Sequence, residues 1–512
     1  VHENFFSLGG DSILALTVVS RMKSAGLGVE LQDVFRDRTI AKLVAGGRES
    51  RPERAVEPFE LIGSADRARL PDGIEDAYPV SGTQASMLYH AMMAEGAGFY
   101  HNTVSMRLRG PLEEKAFRQA VSDTIARHPT FRTSFALNGY SEPLQLVHKA
   151  IELPVRIVDL RGHTDCAQRA EIDALVADER SNELDIGKAP VIRVTVQRLT
   201  DDEFQVTISE NHIILDGWSW SSSFAEIFER QQALISGDAG YADRWPQVGV
   251  KVADFVGLER DAANDPAAER FWKSELADIT PRHVADLRPA GKPVVLRRHV
   301  PIDAATSRRL REIAASHGVT LKSIAAAVHL RVLAEVEDTG HPLTGMLFHG
   351  RPESAGGDQV RGLFWNVLPI GVDVAGRRWI DLAASVLDAE RRLLPHRRVP
   401  LSRIQRWHGR AELFDVGFNY VSFHRYNQMY RDGVLEFLDY HPESRENSHY
   451  ALMATYSIDP PDYELGLLLA YDADRVSGER IAKIAEMYAA GMRRFAASPE
   501  SDHDLCSVAS DL

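Results

Sequence analysis

The stretch EFQVTISENHIILDGWS, Glu203–Ser219, changes character halfway along. Phe204, Val206 and Ile208 alternate with polar residues, which predicts a strand. Asp216-Gly217 is a turn signal. His212 therefore falls just past a strand end, where side chains are commonly presented rather than packed. A lone histidine among apolar residues is ordinarily a satisfied core residue, so its meaning rests on what surrounds it.

On either side, strand-like and helix-like stretches alternate. The strand-like ones are Thr103–Leu108, Ile192–Gln197, Phe204–Ser209, Gly345–Phe348, Gly362–Ile370, Phe414–Asn419 and Leu465–Tyr471. The helix-like ones include Gly82–Met93, Glu113–Ala126, Cys166–Asn182, Ser222–Ile235, Ala267–Leu276, Ala304–His317, Leu321–Glu335 and Gly478–Phe495. Such alternation indicates a layered α/β core. Two halves are expected, 77–250 and 251–505, meeting where Pro246, Pro266, Pro281, Pro289 and Pro293 accumulate. Residues 1–45 read as a small helical unit that buries little core by itself. Residues 46–76 are rich in glycine, proline and charge, which marks a linker, with Ser64 expected to cap a short helix. Such a linker reaches roughly 100 Å extended or roughly 30 Å as a flexible coil.

Composition removes several function classes. The 512 residues carry a net charge of −14, so a phosphate backbone is an unfavourable partner and nucleic acid is not expected. Cys166 and Cys506 are the two cysteines, too few and too far apart for a disulfide framework, which fits a reducing cytoplasm. No CxxC or HExxH pattern indicates a metal site. No apolar run is long enough to span a membrane.

His2–Ile13 reads HENFFSLGGDSI. Gly9-Gly10 makes a tight turn, and a serine opening the next helix would by itself be only a cap. The whole string, with ELQDVFRDRTIAKLV after it, resembles the phosphopantetheine attachment site of peptidyl carrier proteins. The resemblance implies a 4'-phosphopantetheine arm on Ser12, joined as a phosphodiester at a helix N-terminus that favours anions. The family's first helix would precede Val1. The expected unit is thus the C-terminal part of a small all-α carrier, a truncated helical bundle.

ENHIILDGWS resembles the HHxxxDG motif of nonribosomal peptide synthetase condensation domains and their chloramphenicol-acetyltransferase-like relatives. His212 matches the second histidine, Asp216 the aspartate and Gly217 the glycine. Asn211 replaces the first histidine; it still donates and accepts hydrogen bonds but shuttles no protons. Further elements follow in family order: YPVSGTQASMLYH (Tyr78–His90), RHPTFRTSF (Arg127–Phe135), VADFVGLER (Val252–Arg260), GRPES (Gly350–Ser354), RGLFWNVLP (Arg361–Pro369), HRRVPLSRIQ (His396–Gln405) and SRENSHYAL (Ser444–Leu452). The resemblance implies an α/β pseudodimer of two acetyltransferase-like lobes in a V, with His212 in a tunnel between them.

The implied reaction is attack of an acceptor amine on a donor thioester, forming a peptide bond. An α-amino group has a pKa of about 7.7, so making it neutral at neutral pH costs well under about 1 kcal/mol. Positioning contributes up to roughly 7–11 kcal/mol. His212 is therefore expected mainly to orient the amine and to take its proton as the bond forms. Asp216 is expected to be structural, paired with Arg351 at the GRPES element. Gly217 is expected to allow positive φ or close backbone approach, with its amide a weaker candidate for the oxyanion. Trp218 and Trp220 read as core. Arg132, Trp218, Asn366 and Ser448 are tunnel candidates by motif position only.

The implied partners are a downstream acceptor carrier, an adenylation domain and a phosphopantetheinyl transferase, with aminoacyl or peptidyl thioesters as substrates and the chain a cytoplasmic monomer. The competing readings are epimerisation of a carrier-bound aminoacyl group, which the GGDS string favours, and an inactive docking module, which Asn211 makes conceivable. QASMLYH, RHPTFRTSF and the lack of a glutamate-rich element at LFHGRPES oppose epimerisation. Heterocyclisation would replace His212 with aspartate.

Overall fold

The computed structural model describes residues 1–6, 10, 12–46, 48–49, 55–93, 100–241, 245, 248–285, 294–421, 435–441, 449–459 and 464–501. The N-terminal unit holds α1 (Ser12–Ser24), α2 (Leu31–Asp37) and α3 (Ile40–Ala45), with a two-residue pairing of β1 (Leu27–Gly28) and β2 (Arg48–Glu49). Val19, Leu31, Val34 and Phe35 share one hydrophobic cluster with the C-terminal half of the chain. The small unit thus gains its core by leaning on the larger one. Leu31 N–H donates to Glu353 Oε2 at 2.8 Å, and Ser20 Oγ bonds Asp358 at 3.0 Å. Burial would raise the Glu353 carboxyl, but Arg397 and Arg398 outweigh it and hold it at about 2.

Beyond residue 54 the linker-like stretch is folded. Val56 is buried and its N–H donates to Asp254 at 2.7 Å. Helix α4 (Ser64–Arg67) is capped by Gly63, not by Ser64 as the sequence suggests. Strand β3 (Ile74–Pro79) follows, then α5 (Gly82–Met93), β4 (His101–Arg109) and α6 (Glu114–Arg127). Next come β5 (Thr133–Ala136), β6 (Leu144–His148), β7 (Val155–Asp159), α7 (Asp165–Ser181), β8 (Ile192–Arg198), β9 (Glu203–Asn211) and α8 (Gly217–Ser236). A three-stranded sheet runs β3-β6-β5. Helices α6 and α8 pack together, with Phe117 and Val121 meeting Phe224 and Phe228 in one cluster with Val206 and Ile208 of β9. Helix α8 starts five residues before the Ser222 that apolar periodicity indicates. Its first turns are Gly-Trp-Ser-Trp-Ser, which are weak helix formers; the cap at Asp216 and buried hydroxyl bonds such as Ser223 Oγ to Ser219 O compensate.

The second half contains α9 (Val252–Ala263), α10 (Pro266–Glu275), β10 (Val295–Val300), α11 (Ala304–His317), α12 (Leu321–Glu337), β11 (Leu343–His349) and β12 (Trp365–Gly371). It continues with α13 (Trp379–Leu393), α14 (Leu401–His408), β13 (Val416–Val421), β14 (Glu436–Tyr440), β15 (Leu452–Asp459), β16 (Glu464–Asp472) and α15 (Gly478–Ala497). Its six-stranded sheet runs β10-β16-β15-β13-β11-β12, mixed in direction. Helix α12 is apolar on nearly every side and is buried against α13 and α15.

The two halves are not separate in sequence. Strand β14 leaves the second half and pairs antiparallel with β4, making the first half's sheet β14-β4-β9-β8-β7. Helix α5 also touches both halves. A Cβ on Gly82 would lie 2.5 Å from Pro400 Cβ, so only glycine allows this approach.

Gly82 N–H donates to the buried Glu259 carboxyl at 2.7 Å, and burial pushes that carboxyl up to about 7. Its folded value lies above the unfolded one, about 4.3, so it opposes folding increasingly as pH rises through about 7. Between about pH 6 and pH 8 this removes about 1 kcal/mol. Glu259→Gln keeps an acceptor for Gly82 and lacks the charge. Its Tm is expected to fall less across that interval than the wild type's; equal falls would contradict the assignment.

Candidate active site

Strand β9 delivers the site. Its side chains alternate, so Glu210 and His212 share one face and Asn211 takes the other. Asn211 Oδ1 accepts the N–H of Ile213 at 3.2 Å, closing the strand with a turn. An asparagine carbonyl suits that task. The His212 N–H donates to Tyr100 O at 2.7 Å. Its ring Nδ1 lies 3.2 Å from Glu210 Oε1, which also accepts from Asn102 Nδ2 at 2.9 Å. From α5, Gln84 Nε2 donates to Ile213 O at 2.9 Å and holds the turn.

Across from this turn stands the second half. The Trp365 ring lies 6.4 Å from the His212 ring, and Thr83 of α5 bonds the Trp365 carbonyl. His212 therefore sits at the seam between the halves. Nearby, Tyr100 Oη is 2.7 Å from His449 Nδ1, and His90 stacks on His449. Burial holds His449 well below the usual imidazole range.

Asp216 does not face His212's Nδ1. It caps α8 by accepting from Ser219 N–H at 2.7 Å, and it also accepts from Phe364 N–H. One nitrogen of Arg351, Nη2, spans both carboxylate oxygens at 2.8 and 2.9 Å and also reaches Ser219 Oγ. Arg351 is 0% exposed, its other terminal nitrogen bonds Val360 O, and its guanidinium covers the Phe364 ring. A second tie repeats the theme. Arg361 pairs with Glu226 of α8, which also contacts His128. Burial would raise Glu226, but His128 and Arg361 hold it at about 2; burial keeps His128 near 4.

The remaining candidates scatter. Gly217 is the first residue of α8 and lies outside the positive-φ glycines, so positive φ is not its role. Trp218 Nε1 donates to Asp358 O. Trp220 is half-buried and stacks on Phe224. Arg132 bonds Ile125 O and pairs with Glu75, beside the β3-β6-β5 sheet rather than His212. Asn366 Nδ2 donates to Arg397 O and Val399 O. Trp365, one residue earlier and on the other face of β12, is the neighbour of His212. Ser448 lies outside the described residues. Ser12 opens α1, whose first turn holds no acidic residue; that end of a 13-residue helix fits a phosphodiester.

Glu210 and Trp365 were absent from the sequence candidates. Glu210 had a signal, since a strand residue two before His212 shares its face. Trp365 had none, because its approach depends on how the halves meet. Among the described residues no cluster suited to a metal occurs, and no helix is long and apolar enough to cross a membrane.

Two family models match the chain: a phosphopantetheine attachment site over residues 1–46 and a condensation domain over residues 74–512. The AMB antimetabolite synthetase AmbE of Pseudomonas aeruginosa is 34% identical over 436 residues, 83% of this chain and 20% of that protein. Malpibaldin synthetase of Mortierella alpina is 24% identical over 388 residues, 73% of this chain and 7% of that protein. Among solved structures, the condensation domain from Monacolin K polyketide synthase MokA superimposes with a TM-score of 0.69 at 18% identity, covering 84% of this chain and 99% of that one. The chain belongs to the condensation-domain family of nonribosomal peptide synthetases, whose members are amide-forming acyltransferases. It spans a fifth or less of the length of these two curated relatives.

Proposed function

We propose that this chain forms a peptide bond between two carrier-bound substrates. The acceptor's amine attacks the donor's thioester at the seam between two acetyltransferase-like lobes, residues 77–250 and 251–505. The observation that carries this reading is His212, fixed by Tyr100 O and Glu210 at the seam and facing Trp365 from the other half.

When bound, 4'-phosphopantetheine on Ser12 supplies the thiol that carries the donor acyl group. His212 orients the attacking amine. As the C–N bond forms, the nitrogen gains positive charge, and His212 takes that proton at Nε2. It returns the proton to sulfur as the C–S bond breaks, which leaves an amide, a thiol and a neutral imidazole. Gly217 opens α8, so its N–H belongs to the helix end whose donors lack intrahelical acceptors, suited to the developing oxyanion. Asp216 and Arg351 hold the two halves at the required distance. The proposal extends to an acceptor carrier, an adenylation domain and a phosphopantetheinyl transferase as partners, and to a monomer in the cytoplasm.

The test is a reconstituted reaction with loaded carriers, analysed by chiral chromatography. An amide with the donor stereocentre retained is the expected product. An inverted stereocentre without amide would replace this reading with epimerisation, and neither product would leave a docking module.

A further inference from the structure

Glu210 is 2% exposed, a strand residue whose carboxylate points into the site. Oε1 is shared by Asn102 Nδ2 and His212 Nδ1; among the described residues Oε2 meets no hydrogen-bond donor. Three other buried carboxylates each meet an arginine. Asp216 faces Arg351, Glu226 faces Arg361, and Glu353 faces Arg397. A carboxylate buried without a cation favours a positive charge that forms beside it. The group placed to become that charge is His212.

We infer that Glu210 is a positioning residue for the reaction, holding His212 with its proton on Nδ1 and offsetting the positive charge the ring acquires; this rests on the amide-forming reading above. The Asn102 contact fixes the carboxylate, because Asn102 and Glu210 are directly opposite in the β4–β9 pairing. With Nδ1–H given to Glu210, the ring presents Nε2 as its basic atom. During the reaction the Nδ1 proton stays in place. Nε2 takes the proton released by the amine as C–N forms and passes it to sulfur as C–S breaks. Glu210 changes neither bonds nor protonation. It supplies a preorganised field for a charge that exists only during the transfer.

The test uses the full chain with Glu210→Gln, which keeps size and loses charge. With loaded carriers, kcat is expected to fall at least roughly 10-fold while the acceptor KM stays within about 2-fold. A second readout needs no turnover: nitrogen-15 spectra of histidine-labelled protein, with the His212 signals assigned by their loss in His212→Ala. The wild type is expected to show the Nδ1–H tautomer, and Glu210→Gln to lose that preference. Unchanged kcat with an unchanged tautomer overturns the inference while wild-type amide formation stands. Loss of kcat together with a large fall in Tm assigns Glu210 to structure alone and also overturns it. A wild type that makes no amide overturns the functional reading, and the transfer role falls with it.

Discussion

Replacing His212 with alanine is expected to lower single-turnover amide formation about 10²- to 10⁴-fold with acceptor at saturation. The ring meets the Glu210 carboxylate, while the bond to Tyr100 O comes from the His212 backbone N–H, which alanine keeps. Loss of the ring should therefore leave Tm nearly unchanged. Raising pH to supply more neutral amine should not rescue the variant, because positioning rather than deprotonation is the larger contribution. Near-normal turnover at saturating acceptor would remove His212 from the mechanism, whatever the fate of the amide-forming reading.

The second large effect falls on stability. Arg351→Ala leaves the Asp216 carboxylate buried opposite an empty space, with both oxygens deprived of their cation. Breaking such a pair costs about 3–5 kcal/mol. Thermal unfolding should show a Tm lower by several degrees, and activity should fall alongside it because the halves lose their register around His212. Asp216→Ala should behave the same way and also weaken the start of α8, whose cap it supplies. The double variant should cost less than the sum of the two, since each single change already breaks the same contact. A loss of rate with unchanged Tm in Asp216→Ala would instead place Asp216 in the chemistry.

Much of this site is legible in local sequence. Alternation from Phe204 to Ile208 places His212 at a strand exit, and β9 ends at Asn211. Period-two reasoning carried one step further would have reached Glu210. What local pattern cannot reach is contact between distant segments. Arg351 meets Asp216 across 135 residues, a pairing suggested only by family resemblance. The approach of Trp365 and the passage of β14 into the first half's sheet depend on how two cores dock, which neither apolar spacing nor turn residues encode. Motif position suggests a tunnel role for Asn366 and Arg132; what local pattern does not show is that Asn366 Nδ2 and Arg132 Nε donate to backbone carbonyls and that Arg132 pairs with Glu75. Short edge strands such as Glu436–Tyr440 carry too little burial to be read from alternation.

The most direct test is the intact mass of a separately supplied acceptor carrier, loaded with an amino acid and mixed with this chain and a loaded donor carrier. The expected result is an acceptor carrier heavier by the donor acyl group, from which thioester cleavage releases the donor and acceptor joined through an intact amide, with neither formed by His212→Ala. An acceptor carrier of unchanged mass, from wild-type protein shown to be folded and with both carriers shown to be loaded, would contradict the account.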